Sequence, residues 1–491
     1  MLTRAPAAFA LVGLLAAAGL TGLTGCDALR SHRASPAHQQ RISGPLRVSA
    51  INPRYFADTA GRVVYVTGSH TWEDLQDGGT HDPPPVFDYE RFLNTLAAEG
   101  HNFVRVWRWE QVRGNAGTSL PFWLSPTPYA RSGPGLALDG KPRFDLTKFN
   151  DVYFQRLRER LRLAQRKGIY ASVMLFDGWS IGQERANQGN PWLGHPFNRL
   201  NNVNGIDGDP NHDDAGTETH TLEIPGITAL QEAYVRKVVD EVNDLDNVLY
   251  EISNESPRAS TEWQYHMIRY LKQYEATKPK QHPVGMTAEF PDGANAALFA
   301  SPADWIALNS QGDPMTDPMP ADGRKVLIDD TDHLCGICGS TEWAWISFLR
   351  GRNPLFMDPY EGEDGVTTSF QPRSRGFESL RHNLGFIRSY ADRVDLAKMT
   401  PHPELASTRY CLADPDSSRP EYLAYIPGGL RPSVHGLRVS IDLRAVRGRF
   451  AAEWFSPRFE RVVATDSVEG GATRDLRAPF PVGDAVLYLH R

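Results

Sequence analysis

Val248-Leu249-Tyr250-Glu251-Ile252-Ser253-Asn254-Glu255 begins as a short β-rich apolar run and ends on an amide and an acid. The segment before it, Leu230 to Val242, is compatible with a helix. A helix feeding a buried strand is one unit of a repeated βα pattern, and the pattern recurs on both sides. Upstream runs are Val63 to Gly68, Phe103 to Trp107 and Tyr170 to Leu175; downstream runs are Pro283 to Ala288, Trp305 to Leu308, Val326 to Ile328 and Pro354 to Met357. That makes eight strands, each after the first preceded by a helix-compatible segment. One such helix spans Tyr89 to Ala98, with Phe92, Leu93 and Leu96 on one face and Gly100 as its stop. Another is marked by Phe154, Leu157, Leu161 and Ala164 and ends near Gly168. Two long insertions interrupt the series, one after the second run and one from Asp177 to about Thr228. The predicted fold class is α/β, a (β/α)8 TIM barrel over residues 44–396.

Past Ala397 the period changes to two. Leu437, Val439, Ile441 and Leu443 alternate with Arg438, Ser440, Asp442 and Arg444, and similar runs follow at Tyr422 to Ile426, Phe450 to Phe455 and Ala485 to Leu489. Residues 397–491 therefore read as a small all-β sandwich. At the other end, Arg4 precedes an uncharged apolar run, Ala7 to Leu23, too short for a membrane span and suited to a signal peptide over 1–26. Leu23-Thr24-Gly25-Cys26 resembles the bacterial lipoprotein signal, which implies lipidation at Cys26, export and attachment to a bacterial membrane. Residues 27–43 are polar and basic and read as a flexible tether.

A net charge of −7 and the lack of any basic run argue against a nucleic-acid partner. Cys335-Gly336-Ile337-Cys338 has no second CxxC or HxxxH to complete a zinc site, so a local disulfide or free loop thiols are expected, with Cys411 apart. Asp207 to Asp214 offers oxygen ligands at alternate positions but lacks the central Gly and closing Glu of an EF-hand loop, and reads as a solvated acidic loop. No metal or cofactor is expected.

In such barrels the chemistry sits at the C-terminal ends of the strands. Asn254-Glu255, after the fourth run, resembles the acid/base motif of a large clan of barrel glycosidases that includes many cellulases. A general acid of that kind protonates a departing glycosidic oxygen, while the adjacent Asn binds a sugar hydroxyl. Its partner should follow the seventh run, where Ile328-Asp329-Asp330-Thr331-Asp332-His333 stands in place of the clan's usual Glu. The resemblance puts Asp330 at that position, with Asp329 and Asp332 as rivals. A carboxyl gap of about 5–5.5 Å would imply retention of configuration, and about 6.5–9.5 Å inversion. Arg105, inside the apolar second run, resembles the clan's Arg that supports this acid; an Arg so placed must in any case find a carboxylate. His70, Trp72, Trp107, His333 and Tyr360 are candidate sugar contacts, through ring stacking and hydroxyl hydrogen bonds. Trp109, Trp179, His195, Glu110, Asp177, Glu289 and Asp358 lie near strand ends as well.

Asn52-Pro53-Arg54-Tyr55-Phe56, Gly68-Ser69-His70-Thr71-Trp72, Phe348 to Pro354 and Met357-Asp358-Pro359-Tyr360 are similar to a family of barrel glycosidases related to cellulases and apiosidase-like enzymes. Tyr422 to Tyr425, Glu453 to Pro457 and Asp484 to Leu489 resemble a module labelled collagen-binding. The resemblance implies hydrolysis of an oligo- or polysaccharide by two carboxylates. The competing expectation is a non-catalytic glycan- or collagen-binding surface lipoprotein. No HExxH signature supports proteolysis, and the tail is expected to pack on the barrel as a structural companion.

Overall fold

A computed structural model of the chain describes residues 42–114, 122–182, 189–360, 377–416, 418–428 and 436–491. The signal peptide, Cys26 and the tether up to residue 41 lie outside the described residues. Eight parallel strands close a barrel in chain order. They are β1 (Gly68–His70), β2 (Phe103–Val106), β3 (Tyr170–Asp177), β4 (Val248–Asn254), β5 (Val284–Thr287), β6 (Trp305–Ala307), β7 (Val326–Asp330) and β8 (Asn353–Met357). Around them run α1 (Tyr89–Ala98), α2 (Asp151–Arg166), α3 (Pro225–Val242), α4 (Thr261–Glu275), α5 (Asn295–Ala300), α6 (Thr331–Leu334), α7 (Thr341–Leu349) and α8 (Glu378–Arg393). Side-chain caps set several starts, among them Asp88 on the Arg91 N–H for α1, Asn150 on Val152 for α2 and Ser340 on Trp343 for α7.

Two elements differ from expectation. Val63–Val64 belongs to a three-stranded antiparallel sheet with Phe56–Ala57 and Arg47–Val48, and the barrel strand begins only at Gly68. Leu46, Phe56, Val64 and Val66 from this small sheet pack on Phe103, Tyr170, Leu249 and Leu355 at the N-terminal strand ends, so it seals the bottom of the barrel. Gly68 is where β1 meets β2, and a Cβ there would sit 2.1 Å from the Phe103 carbonyl oxygen. The second difference lies between β6 and β7, where residues 308–325 form a loop instead of a helix. Pro314, Pro318 and Pro320 within it forbid a continuous helical ladder.

The longest neighbours, β3 and β4, pair through Asp177↔Asn254. This extension lifts both residues to the same height at the mouth. The Cys335–Cys338 disulfide forms just past α6, and Cys411 is a buried free thiol.

Beyond α8 come β9 (Thr400–Pro401), β10 (Cys411–Asp414), β11 (Glu421–Ile426), β12 (Arg438–Asp442), β13 (Arg449–Ser456), β14 (Arg461–Glu469), β15 (Thr473–Arg477) and β16 (Ala485–His490). They form a six-stranded sheet, β9-β10-β11-β16-β13-β14, over a β12-β15 pair. Strand alternation divides the apolar side chains between two cores. Tyr422, Ala424 and Ile426 face Val439 and Ile441 inside the sandwich. Leu423, Tyr425, Phe455 and Tyr488 face the opposite way, onto Trp345, Phe348, Leu384 and Tyr390 of α7 and α8. Every residue of α7 from Trp343 to Leu349 is buried, because barrel and sheet cover it from two sides.

Candidate active site

Glu255 immediately follows β4 and has φ 40°, a left-handed backbone that costs a non-glycine residue roughly 1–3 kcal/mol. Its neighbours are pinned on both sides. Asn254 Oδ1 accepts from Arg105 Nη2 at 2.7 Å, and its Nδ2 donates to Asp177 Oδ1 at 3.1 Å. On the far side, Ser256 Oγ lies 2.8 Å from His220 Nδ1 and 2.5 Å from Ser253 Oγ. His220 Nε2–H in turn donates to Glu110 Oε1 at 3.0 Å. The Trp179 indole N–H donates directly to Glu255 Oε2, and the Trp179 backbone N–H is held by Asp177 Oδ1 at 3.2 Å. Gly178 lets this turn lie flat on the acid, since a Cβ there would be 2.2 Å from the Glu255 carbonyl oxygen.

Arg105 on β2 is the hub of the mouth. It grips Glu251 with two bonds, Nε at 2.7 Å and Nη2 at 2.5 Å, and reaches Asp332 Oδ2 at 2.6 Å and Asp330 Oδ2 at 3.4 Å through Nη1. Burial disfavours its charge, but Glu251, Asp330 and Asp332 outweigh that and hold it firmly protonated. Glu251 escaped sequence reasoning, although an acid between Tyr250 and Ile252 in a buried strand needs a cation just as Arg105 needs an acid.

The three acids at the C-terminal end of β7 part company. Asp329 points behind the barrel wall, paired with Arg352 at 2.7 Å and with Ser347 at 2.9 Å. Asp330, expected to face Glu255, is turned toward His70 and Arg105 and is not among the residues that line the open cavity. Its Oδ1 accepts from His70 Nε2 and caps α6 on the Asp332 N–H, both at 3.0 Å, and its Oδ2 faces Arg105. Burial would raise this carboxyl, yet His70 and Arg105 hold it well below the usual range. Asp332, two residues on, is the member of the three that reaches the open cavity.

That cavity, about 460 Å³, is lined by Glu255, Asp332, His333 and the rings of Trp72, Trp107, Trp109 and Trp179. Asn309 and Ser310 close one side, and the Cys335-Gly336-Ile337 loop another. His333 Nδ1 is 4.0 Å from Glu255 Oε1 and 4.0 Å from Asp332 Oδ2, which bounds the gap between the two carboxylates at twice that length. Among the described residues, neither ring nitrogen of His333 has a hydrogen-bond partner. Burial keeps its pKa low, in spite of Asp332, so at neutral pH the ring offers one donor and one acceptor to a ligand.

Trp72, Trp107 and His333 thus line the cavity as expected, and Trp109 and Trp179 join them. His70 and Tyr360 do not. His70 lies behind the cavity wall, stacked on Trp107 at 5.8 Å between centroids, with Nε2 on Asp330. Tyr360 packs edge-on to Phe92 on the outer side of the barrel. Asn254 has both ends of its amide engaged within the protein and positions Glu255 from behind. His195, 3.6 Å from Glu110, and Asp358, bidentate with Arg381, are buried structural pairs. Asp330, Asp332 and His333 bring ligand atoms within 4.8 Å of one another, but the Arg105 guanidinium already supplies the positive charge between the two acids.

Comparison with known proteins supports this architecture. The model of a family described as a domain of unknown function, DUF6298, matches residues 105–291, from Arg105 through Glu255 to the loop after β5. No curated protein sequence matches. Among solved structures, one from Bacteroides vulgatus described as a "putative glycoside hydrolase" superposes with TM-score 0.56 at 13% identity, covering 92% of this chain and 83% of its own. A glycoside hydrolase family 5 protein from the same organism gives 0.52 at 14% identity, with 91% and 93% covered. A third structure, described simply as a glycoside hydrolase, gives 0.53 at 13% identity over 91% and 97%. Coverage of this extent takes in the barrel and the trailing sheets together, so this chain has the fold of those proteins.

Proposed function

We propose that this chain hydrolyses O-glycosidic bonds in an oligo- or polysaccharide, with Glu255 as general acid/base and Asp332 as the opposing carboxylate. The observation that carries the reading is that these two acids face one tryptophan-lined cavity across a gap bounded by two 4.0 Å legs through His333. Glycosidase chemistry needs two carboxyls about 5–9.5 Å apart across the scissile bond, and the bound admits both stereochemical courses. Proton NMR of the first-formed anomer distinguishes them.

Each group then has a task. Glu255 gives its proton to the departing oxygen, oriented by the Trp179 N–H on its other oxygen. Asp332, oriented by its ion pair with Arg105, attacks the anomeric carbon or deprotonates the water that does. Asp330 acts through Arg105 and the α6 cap, keeping Asp332 aimed. The four Trp rings stack on sugar C–H faces, and His333 meets a hydroxyl. The Leu23-Thr24-Gly25-Cys26 motif supports a location outside the cytoplasmic membrane, with tethering through a lipid at Cys26.

The test is turnover of a panel of neutral plant and microbial glycans by the parent, Glu255→Gln and Asp332→Asn. Each substitution is expected to lower kcat by about 10³-fold or more, in line with the loss of an acid/base or nucleophilic group. Parental activity in Glu255→Gln, or binding of glycans with no turnover by the parent, overturns the assignment.

A further inference from the structure

Glu255 borders a second cavity, of about 350 Å³, that the catalytic reading leaves unused. The two cavities share Glu255, Phe290 and Pro291, and differ in every other lining residue. Asp332, His333 and the four Trp rings belong to the first alone. The second is walled by Gly178 and Ile181 after β3, by Asp213 and Thr217 from the loop before α3, and by Arg258 and Asp292 at its rim. Glu255 therefore lies on the wall of both cavities.

Resting on the hydrolase reading, we propose that the second cavity receives the leaving-group half of the substrate, and that this half is an uncharged saccharide. The reasoning follows the proton. A general acid must touch the oxygen that joins the two sugars, and the sugar whose anomeric carbon meets Asp332 has to lie in the first cavity. The other sugar then lies across Glu255, where the second cavity opens. On cleavage the anomeric C–O bond breaks and its electron pair stays with the departing oxygen. The Glu255 proton joins that oxygen, and the leaving sugar departs as an alcohol. Attacking water supplies the new anomeric hydroxyl and returns one proton to the carboxylates.

The walls favour hydroxyls over charge. Asp213, Asp292 and Arg258 offer acceptors and donors to a polyol, and among the described lining residues these two acids and Glu255 stand against one base, so a uronate would meet net repulsion. Ile181 and Pro257 give an apolar strip for a ring face. A volume of about 350 Å³ lies within the roughly 300–1,000 Å³ of small-ligand sites. Much of this wall comes from the insertion between β3 and α3, outside the barrel repeat. The leaving-group preference is thus a property of this insertion.

The experiment narrows the second cavity and varies the leaving group. Thr217→Phe fills it from a partly exposed position, and Arg258→Ala, at an exposed rim position, removes a contact without adding bulk. The probes are manno-, cello- and xylo-oligosaccharides, and the matching glycosyl fluorides, whose departing fluoride occupies no cavity. For Thr217→Phe, kcat/KM on oligosaccharides is expected to fall at least tenfold, with fluorides within about twofold of the parent; Arg258→Ala should shift the same way by less. Equal losses on both probe types, or unchanged oligosaccharide turnover by both variants, overturn the assignment. If Glu255→Gln is inactive and Thr217→Phe is fully active, only the second cavity falls. If Glu255→Gln retains parental rates, the hydrolase reading falls and takes this one with it.

Discussion

Gly178→Ala is the smallest change that should disable this site without touching an ionisable group. The added Cβ would sit 2.2 Å from the Glu255 carbonyl oxygen, 2.5 Å from its carbon and 2.6 Å from Ser256 Cα. All three are backbone atoms, so no flexible side chain can yield. Ordinary contact begins near 3.4 Å, so one segment must retreat by more than about 1 Å, and a displacement of that size costs on the order of 10² in rate when it moves a reacting group. Gly178 does not have positive φ, so the obstacle is space, not backbone strain. The expected result is a kcat about 100-fold below the parent, with about 1–3 kcal/mol lost from stability as for overpacking elsewhere. Gly226→Ala serves as the control, because its Cβ would meet only Ile206 Cδ1 at 3.8 Å. Steady-state kinetics on the best panel glycan and urea denaturation read the two effects separately. A Gly178→Ala enzyme within threefold of the parental kcat would refute the claim that this turn sets the position of Glu255.

Arg105→Lys should be far from conservative. A lysine ammonium cannot reproduce the fork that serves Glu251, Asn254, Asp330 and Asp332 together, and a cost of about 3–5 kcal/mol is expected from the stranded acids, measured by urea denaturation. A loss below about 1 kcal/mol would show that the acids find another partner. Asp74 gives a pH signature. Burial raises its carboxyl to about 7, against opposing help from the Trp107 backbone N–H. The folded chain therefore holds that proton more tightly than the unfolded chain, whose Asp titrates near 3.9. Stability present at acidic pH is lost as pH rises through about 7, at up to about 1.4 kcal/mol per pH unit. Asp74→Asn should remove this slope, so that its Tm relative to the parent improves between pH 5 and pH 8; a pH-independent difference would contradict the assignment.

The barrel was largely readable from sequence because strand and helix periods differ and alternate regularly. It failed where periodicity carries no information about partners. The Val63 to Gly68 run has the composition of a barrel strand, yet its first half pairs antiparallel below the barrel. In the site, Asn254-Glu255 was legible from its place after the fourth strand. The choice among Asp329, Asp330 and Asp332 was not. Alternation sends Asp329 and Asp330 to opposite sides of β7 without saying which one meets substrate, and beyond the strand end it no longer sets direction; Asp330 caps a short helix, which leaves Asp332 facing the opening. His70 and Tyr360 looked like sugar contacts by residue type, and only packing shows that walls of other rings cover them. The cavity beyond Glu255 was invisible for a related reason, since irregular insertions have no period to read.

Because α7 is wrapped on both sides, the trailing sheets are not an appendage that the barrel could shed or exchange. One broad face of the six-stranded sheet is spent on α7 and α8, and the other on the β12-β15 pair. A fibrous ligand such as a collagen triple helix could not lie flat on either. Any adhesive property of this tail has to reside in its loops, along the outer edges at β9 and β14, or on the exposed outward face of the β12-β15 pair.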